Sequence, residues 1–114
     1  MVLSIRYLLF AVIVAAALPA GAHTSKHGMK YDSWCCNGSA VNGDCQEIPD
    51  SAVEFVPGGY RVTLAPGEHK LVTRPHSYFK RADKVRFSTD GHYHACLWPT
   101  QDSLRCLYVV PMGF

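Results

Sequence analysis

Two cysteines stand side by side in "WCCNGSAVNGDC", Trp34 to Cys45, and a third follows nine residues later. Neighbouring side chains on an extended backbone point to opposite sides, and a ring closed by vicinal cysteines fits poorly with the Cα separations that disulfides prefer. Cys35 and Cys36 therefore have different roles. Cys96 and Cys106 bring the total to five, so at least one sulfur stays outside any intramolecular bridge. In a chain this short, an odd set of closely spaced cysteines constrains the fold more than any other feature.

Whether such cysteines pair depends on the compartment. "MVLSIR" places one cation, Arg6, before an uncharged run, "YLLFAVIVAAAL", Tyr7 to Leu18, and the small residues of "PAGA". The run is shorter than the about 20 residues a membrane-spanning helix needs and has the length of an export signal's apolar region. Ala20 and Ala22 occupy small-residue positions, which predicts a signal peptide over residues 1–22, no transmembrane segment after its removal, and a mature chain of 92 residues beginning at His23. No cysteine sits at the cleavage point for lipid attachment. Export exposes the cysteines to oxidation, where they are read as disulfides before metal or catalytic thiols. Ninety-two residues make one domain, near the size at which a core alone leaves little margin.

Charge excludes two partner classes. Without Arg6 the chain has ten Lys plus Arg against nine Asp plus Glu. It lacks the clustered cations of a nucleic-acid-binding face and of a polybasic membrane patch.

His23 to Ser33 is polar and without apolar periodicity, which predicts a flexible arm over 23–33 ahead of a domain over 34–114. The domain reads as all-β, a small antiparallel sheet of hairpins. "AVEFV" and "YRVTL" flank Pro57, Gly58 and Gly59 as a hairpin, "HKLVT" is a third strand, and "RPHSYFKRAD" a connection. Asp90-Gly91 lies between two strand-like runs and predicts a two-residue hairpin turn. That register pairs Thr89 with His92, Phe87 with His94 and Val85 with Cys96. A second hairpin sets Cys96 opposite Cys106. Residues directly opposite share a face, so Val85, Phe87, His94, Cys96, Trp98, Leu104, Cys106 and Tyr108 form the expected core face.

In the order "YDSWCCNGSAVNGDCQ", "PGGYRVTL", "DGHYHACL" and "LRCLYVVPMGF", the chain resembles a group of small exported cysteine-containing proteins of alphaproteobacteria and their phages. The likeness covers Tyr31 to Phe114. It departs where Val110, not a second proline, precedes Pro111. The resemblance implies a bacterial periplasmic or secreted protein and supplies no activity.

Short rings give the simplest pairing: Cys36 with Cys45, and Cys96 with Cys106 across the second hairpin. Each closure of about ten residues is worth roughly 2.7 kcal/mol in the loop-entropy picture. Cys35 is then the free thiol, buried, redox-active or bridged to a partner. Cys35 taking Cys45 is the nearest alternative, and long-range bonds to Cys96 or Cys106 are the next. No C-x-x-C is present, which argues against a dithiol oxidoreductase.

Six histidines raise a copper or zinc reading. His92 and His94, two apart on a strand, put two imidazoles on one face, a spacing that holds zinc or copper if a third ligand converges. The register also sets His94 between Phe87 and Tyr108 as a structural, hydrogen-bonded residue. Cleavage before His23 combines an amine with an imidazole, and His27 lies four residues on. Cleavage two residues earlier exposes "GAH", a nitrogen set that suits Cu(II) or Ni(II). Asn37-Gly38-Ser39 fits a glycosylation pattern, but in the bacterial setting it reads as a tight turn. Glu54, Glu68 and Asp83 offer acid–base groups in no recognised spacing. Phe114 resembles the terminal aromatic of outer-membrane barrels, but the chain is too short for eight spans.

Three functions follow in order: a non-enzymatic binding or envelope-associated module with an unidentified protein partner; a periplasmic copper- or zinc-binding protein using His23 with His27, or His92 with a converging ligand; and a small secreted hydrolase. The first involves neither cofactor nor catalytic residue.

Overall fold

A computed structural model describes residues 24–36 and 44–111. The signal-peptide reading, His23, Asn37-Gly38-Ser39 and Phe114 fall outside them. Among the described residues seven strands form: β1 (Cys45–Ile48), β2 (Val53–Val56), β3 (Gly59–Leu64), β4 (His76–Arg81), β5 (Arg86–Phe87), β6 (Tyr93–Leu97) and β7 (Leu104–Val109). They make one sheet in the order β1-β6-β7-β5 and a second in the order β2-β3-β4. The fold is mainly β, as the alternating runs predict.

The β2–β3 hairpin forms with Pro57-Gly58 as its turn. Gly58 has φ +84°, the left-handed position that follows proline in a type II turn. Gly59 faces the β4 backbone so closely that a Cβ there would strike the Lys80 carbonyl. Pairing against β3 is supplied by His76–Arg81 and not by "HKLVT". The β4 stretch hides its period because Tyr78 is buried while Lys80, also turned inward, directs its ammonium to the Leu104 and Arg105 carbonyls at 2.8 and 3.3 Å. Residues 69–72 instead form a turn, with Val72 N–H donating to the His69 carbonyl at 3.0 Å. His69 and Val72 plug the sandwich.

The two sheets bury Val62, Leu64 and Tyr78 of one against Ala95, Leu97, Leu107 and Val109 of the other, with Ile48 beside them. The opposite face of the four-stranded sheet is buried too, by residues 24–36. Met29, Tyr31, Cys35 and Cys36 cover Cys45, Cys96, Cys106 and Tyr108 in a second cluster. This explains the consecutive buried residues His94 to Leu97 of β6 and Cys106 to Val109 of β7: a strand covered on both faces loses its polar alternation. His94, Cys96, Cys106 and Tyr108 do share a face, as expected, but it lies under the arm. The inter-sheet core uses the other face.

The predicted Asp90-Gly91 hairpin does not form. β5 pairs parallel to β7, Arg86 with Tyr108 and Phe87 with Val109, and β1 takes the edge of β6, Cys45 with Cys96 through Ile48 with Tyr93. The Asp90 carboxylate accepts Ser88 Oγ–H at 2.7 Å and His92 N–H at 3.0 Å. It thus turns the chain through its side chain rather than through a tight ladder closure.

The segment expected to be a flexible arm is docked from Thr24 onward. Thr24 bridges Lys30, Ser25 N–H donates to the Met29 carbonyl at 2.7 Å, and Met29 and Tyr31 are each 3% exposed. The expected disulfides are corrected as well. Cys96 does sit opposite Cys106, but Cys45 flanks it on the other side, and Cys96 bonds Cys45. The arm lowers Cys35 onto Cys106, and these two bond. Cys36, expected to bond Cys45, is the buried cysteine outside both bridges, and Cys35 is not the free thiol. The Cys36 and Cys45 sulfurs lie within 4.8 Å of each other, but Cys45 stands directly opposite Cys96 in the β1–β6 ladder and bonds it instead. Rings of 71 and 51 residues replace two short ones. Each is worth about 4 kcal/mol taken alone.

Candidate metal centre

Strand alternation sends Cys45 and Glu47 of β1, and His94 and Cys96 of β6, to the arm-covered face. His92 continues the β6 alternation one step earlier and lies diagonally across from Glu47. The third group comes from the arm. Ser25 Oγ accepts the N–H groups of His27 and Met29 at 3.3 and 3.0 Å, and Gly28 has φ +84°. This tight turn holds His27 over the sheet.

The donor atoms of His27, Glu47 and His92 all lie within 4.8 Å of one another. His27 Nδ1 is 2.5 Å from Glu47 Oε1, and His92 Nδ1 is 3.7 Å from Oε2. The two imidazoles stack with centroids 4.4 Å apart and planes 13° from parallel. Lys26 Nζ is 3.8 Å from the same carboxylate. A zinc ion with bonds near 2.1 Å in tetrahedral geometry separates its ligand atoms by about 3.4 Å. The present spacing brackets that value: the His27–Glu47 pair opens by about an ångström, and the His92 contact closes slightly. Two nitrogens and a carboxylate, with a coordination position left over, suit zinc and are accepted by copper.

His94 belongs elsewhere. It is wholly buried, with Nε2 2.8 Å from Asp90 Oδ1 and Nδ1 2.8 Å from Tyr31 Oη. Burial pushes the Asp90 carboxyl up, but hydrogen bonds from His94, Ser88 and His92 N–H outweigh it and hold it well below the usual carboxylate range. Asp90 is thus ionised and accepts from His94 Nε2–H, while His94 Nδ1 pairs with the Tyr31 hydroxyl. Burial, assisted by the charges of Asp90 and Glu47, pushes the Tyr31 hydroxyl far above its ordinary range, so it stays protonated. Both ring nitrogens of His94 are occupied, and the metal expectation there is corrected in favour of the structural one.

The sequence points to His27 and His92 but not to Glu47, which is neither in a motif nor among Glu54, Glu68 and Asp83. Its signal is the i, i+2 spacing from Cys45, readable only once β1 is known to pair with β6. A second group, Cys36, Asp44 and Cys45, also lies within 4.8 Å, but the Cys45 sulfur is committed to Cys96. A His, a carboxylate and an Arg do converge at His76, Asp102 and Arg74, at 2.7 and 2.6 Å. That cluster is on the surface and not in the cavity beside Glu47, so it offers no enclosed site for hydrolysis. No known protein family, curated protein or solved structure matches the chain.

Proposed function

We propose that this is an exported, non-enzymatic accessory domain of the bacterial periplasm or secreted fraction, whose ligand is a divalent transition-metal ion, zinc or copper. One observation carries the reading: His27, Glu47 and His92, from three separated stretches of chain, bring their donor atoms within 4.8 Å. Two disulfides are consistent with an oxidising, extracytoplasmic location. His23 is not required by this site.

Titration calorimetry of the oxidised protein with Zn(II) and Cu(II) tests the proposal. One equivalent binds with a dissociation constant of about a micromolar or tighter, and His27→Ala, Glu47→Gln and His92→Ala each weaken it by about tenfold or more. Binding weaker than micromolar, or binding untouched by all three substitutions, removes the reading.

A further inference from the structure

A cavity of about 330 Å³ opens between the arm and β1, and Glu47 forms part of its wall. The remaining polar lining comes from residues that can donate, Lys26, Lys70, Thr24, Ser25 and Gln46, beside Tyr31. Gln46 Oε1 accepts the Lys70 N–H at 2.8 Å, which leaves its NH2 as the group it presents. Among the described residues, Glu47 is the only carboxylate of this lining. Once it ligates a cation, both lysines face a site with a surplus of positive charge and no anion to meet it. An ion held by three side chains also keeps a position for an outside ligand.

We infer that this cavity takes a small oxyanion, phosphate or carboxylate in class, with one oxygen on the metal ion and the others on Lys26 and Lys70. The inference rests on the metal reading of His27, Glu47 and His92. The volume lies at the lower end of small-molecule sites and admits a free metabolite-sized anion, whereas a lipid would have to present only its headgroup phosphate. Ammonium groups suit such a ligand because they supply rotatable, charge-assisted hydrogen bonds.

Cobalt(II) serves as the probe because its visible spectrum reports both occupancy and a change of ligand. The oxidised protein is loaded with one equivalent and titrated with inorganic phosphate. The band shifts saturably, and Lys26→Gln or Lys70→Gln weakens the phosphate response about fivefold, the scale of a solvent-accessible ion pair, while Lys84→Gln, outside the cavity, leaves it unchanged. A cobalt band that stays fixed to about 10 mM phosphate, tenfold above a millimolar dissociation constant, overturns the anion site and leaves the metal site standing. Lysine variants that respond like the parent overturn the anion site in the same way. Absence of any cobalt band defeats the metal reading and this inference with it. Co-sedimentation with phosphatidylglycerol vesicles in place of a response to inorganic phosphate assigns the surface to a lipid headgroup and overturns the soluble ligand.

Discussion

At the scale of single residues, the chain places its titratable groups in two opposed environments. Glu47 lies open enough to be met by Lys26, His27 and His92, whereas His69 is fully buried and bound on both ring nitrogens. Its Nε2–H is shared by the Asp44 and Ala95 carbonyls at 3.2 and 3.1 Å, and its Nδ1 accepts Leu71 N–H at 3.1 Å. Burial lowers the His69 pKa, and the carbonyls that favour its charged form only partly oppose that shift. A group whose folded pKa is depressed adds stability above its unfolded value, about 6.5 for histidine, and loses it as pH falls toward the folded value, because the unfolded chain takes up the proton first. Urea midpoints of the protein therefore fall between about pH 7.5 and about pH 5.5, on either side of that unfolded value, and His69→Gln makes that fall smaller. An unchanged pH slope in the variant would show that His69 is not the group responsible.

At the scale of elements, the arm is a third layer whose position depends on one bridge. Cys35–Cys106 ties it to β7, Tyr108 Oη accepts Asp32 N–H at 2.9 Å, and Arg86 meets the Asp32 carboxylate at 2.7 Å. Arg105 passes between the indoles of Trp34 and Trp98, 4.0 and 4.6 Å from their centroids. Replacing Cys35 and Cys106 together by serine costs about 4 kcal/mol of stability. It also weakens zinc binding about tenfold, because His27 loses the local concentration that the docked arm gives it. Calorimetry on the variant at a temperature where it remains folded measures this; undiminished zinc affinity would mean that the arm does not present His27.

The β class and the β2–β3 hairpin are legible in the sequence, since Pro57-Gly58 and the Tyr60–Val62–Leu64 alternation are local signals. The Cys96–Cys106 register is legible for the same reason. What the sequence conceals is non-local. Nothing near Asp90 reveals that its carboxylate gathers Ser88, His92 and His94 and sends β5 to the far edge of the sheet. Nothing in "CQEI" tells which strand it will join, and that pairing alone puts Glu47 beside His92. The polar look of residues 24–33 hides two anchors, Met29 and Tyr31, too few to produce a periodicity. Two of the three metal-site ligands are therefore visible as residue types, and the carboxylate only as geometry.

At the scale of the whole molecule, a sheet buried on both faces requires a cover on each. The β2-β3-β4 sheet supplies one cover, with a continuous apolar core. The arm supplies the other, with few apolar residues, one disulfide that ties it to β7 and a second, between β1 and β6, beneath it. The Cys35–Cys106 bridge fits this side because the arm contributes too little apolar surface to stay down by burial alone. No helix among the described residues is long and apolar enough to cross a membrane. The arm's docking is also what brings its tip within reach of the strands, so the scaffold and the candidate metal centre depend on the same oxidised cover.

Imidazole resonances of the oxidised protein, followed by two-dimensional NMR during zinc titration, test this arrangement most directly. His27 and His92 are expected to shift together and saturate at one equivalent, while the buried rings of His69 and His94 keep their positions. Zinc that moves His76, His94 or no ring at all, or that leaves His27 unmoved while binding His92, would contradict it.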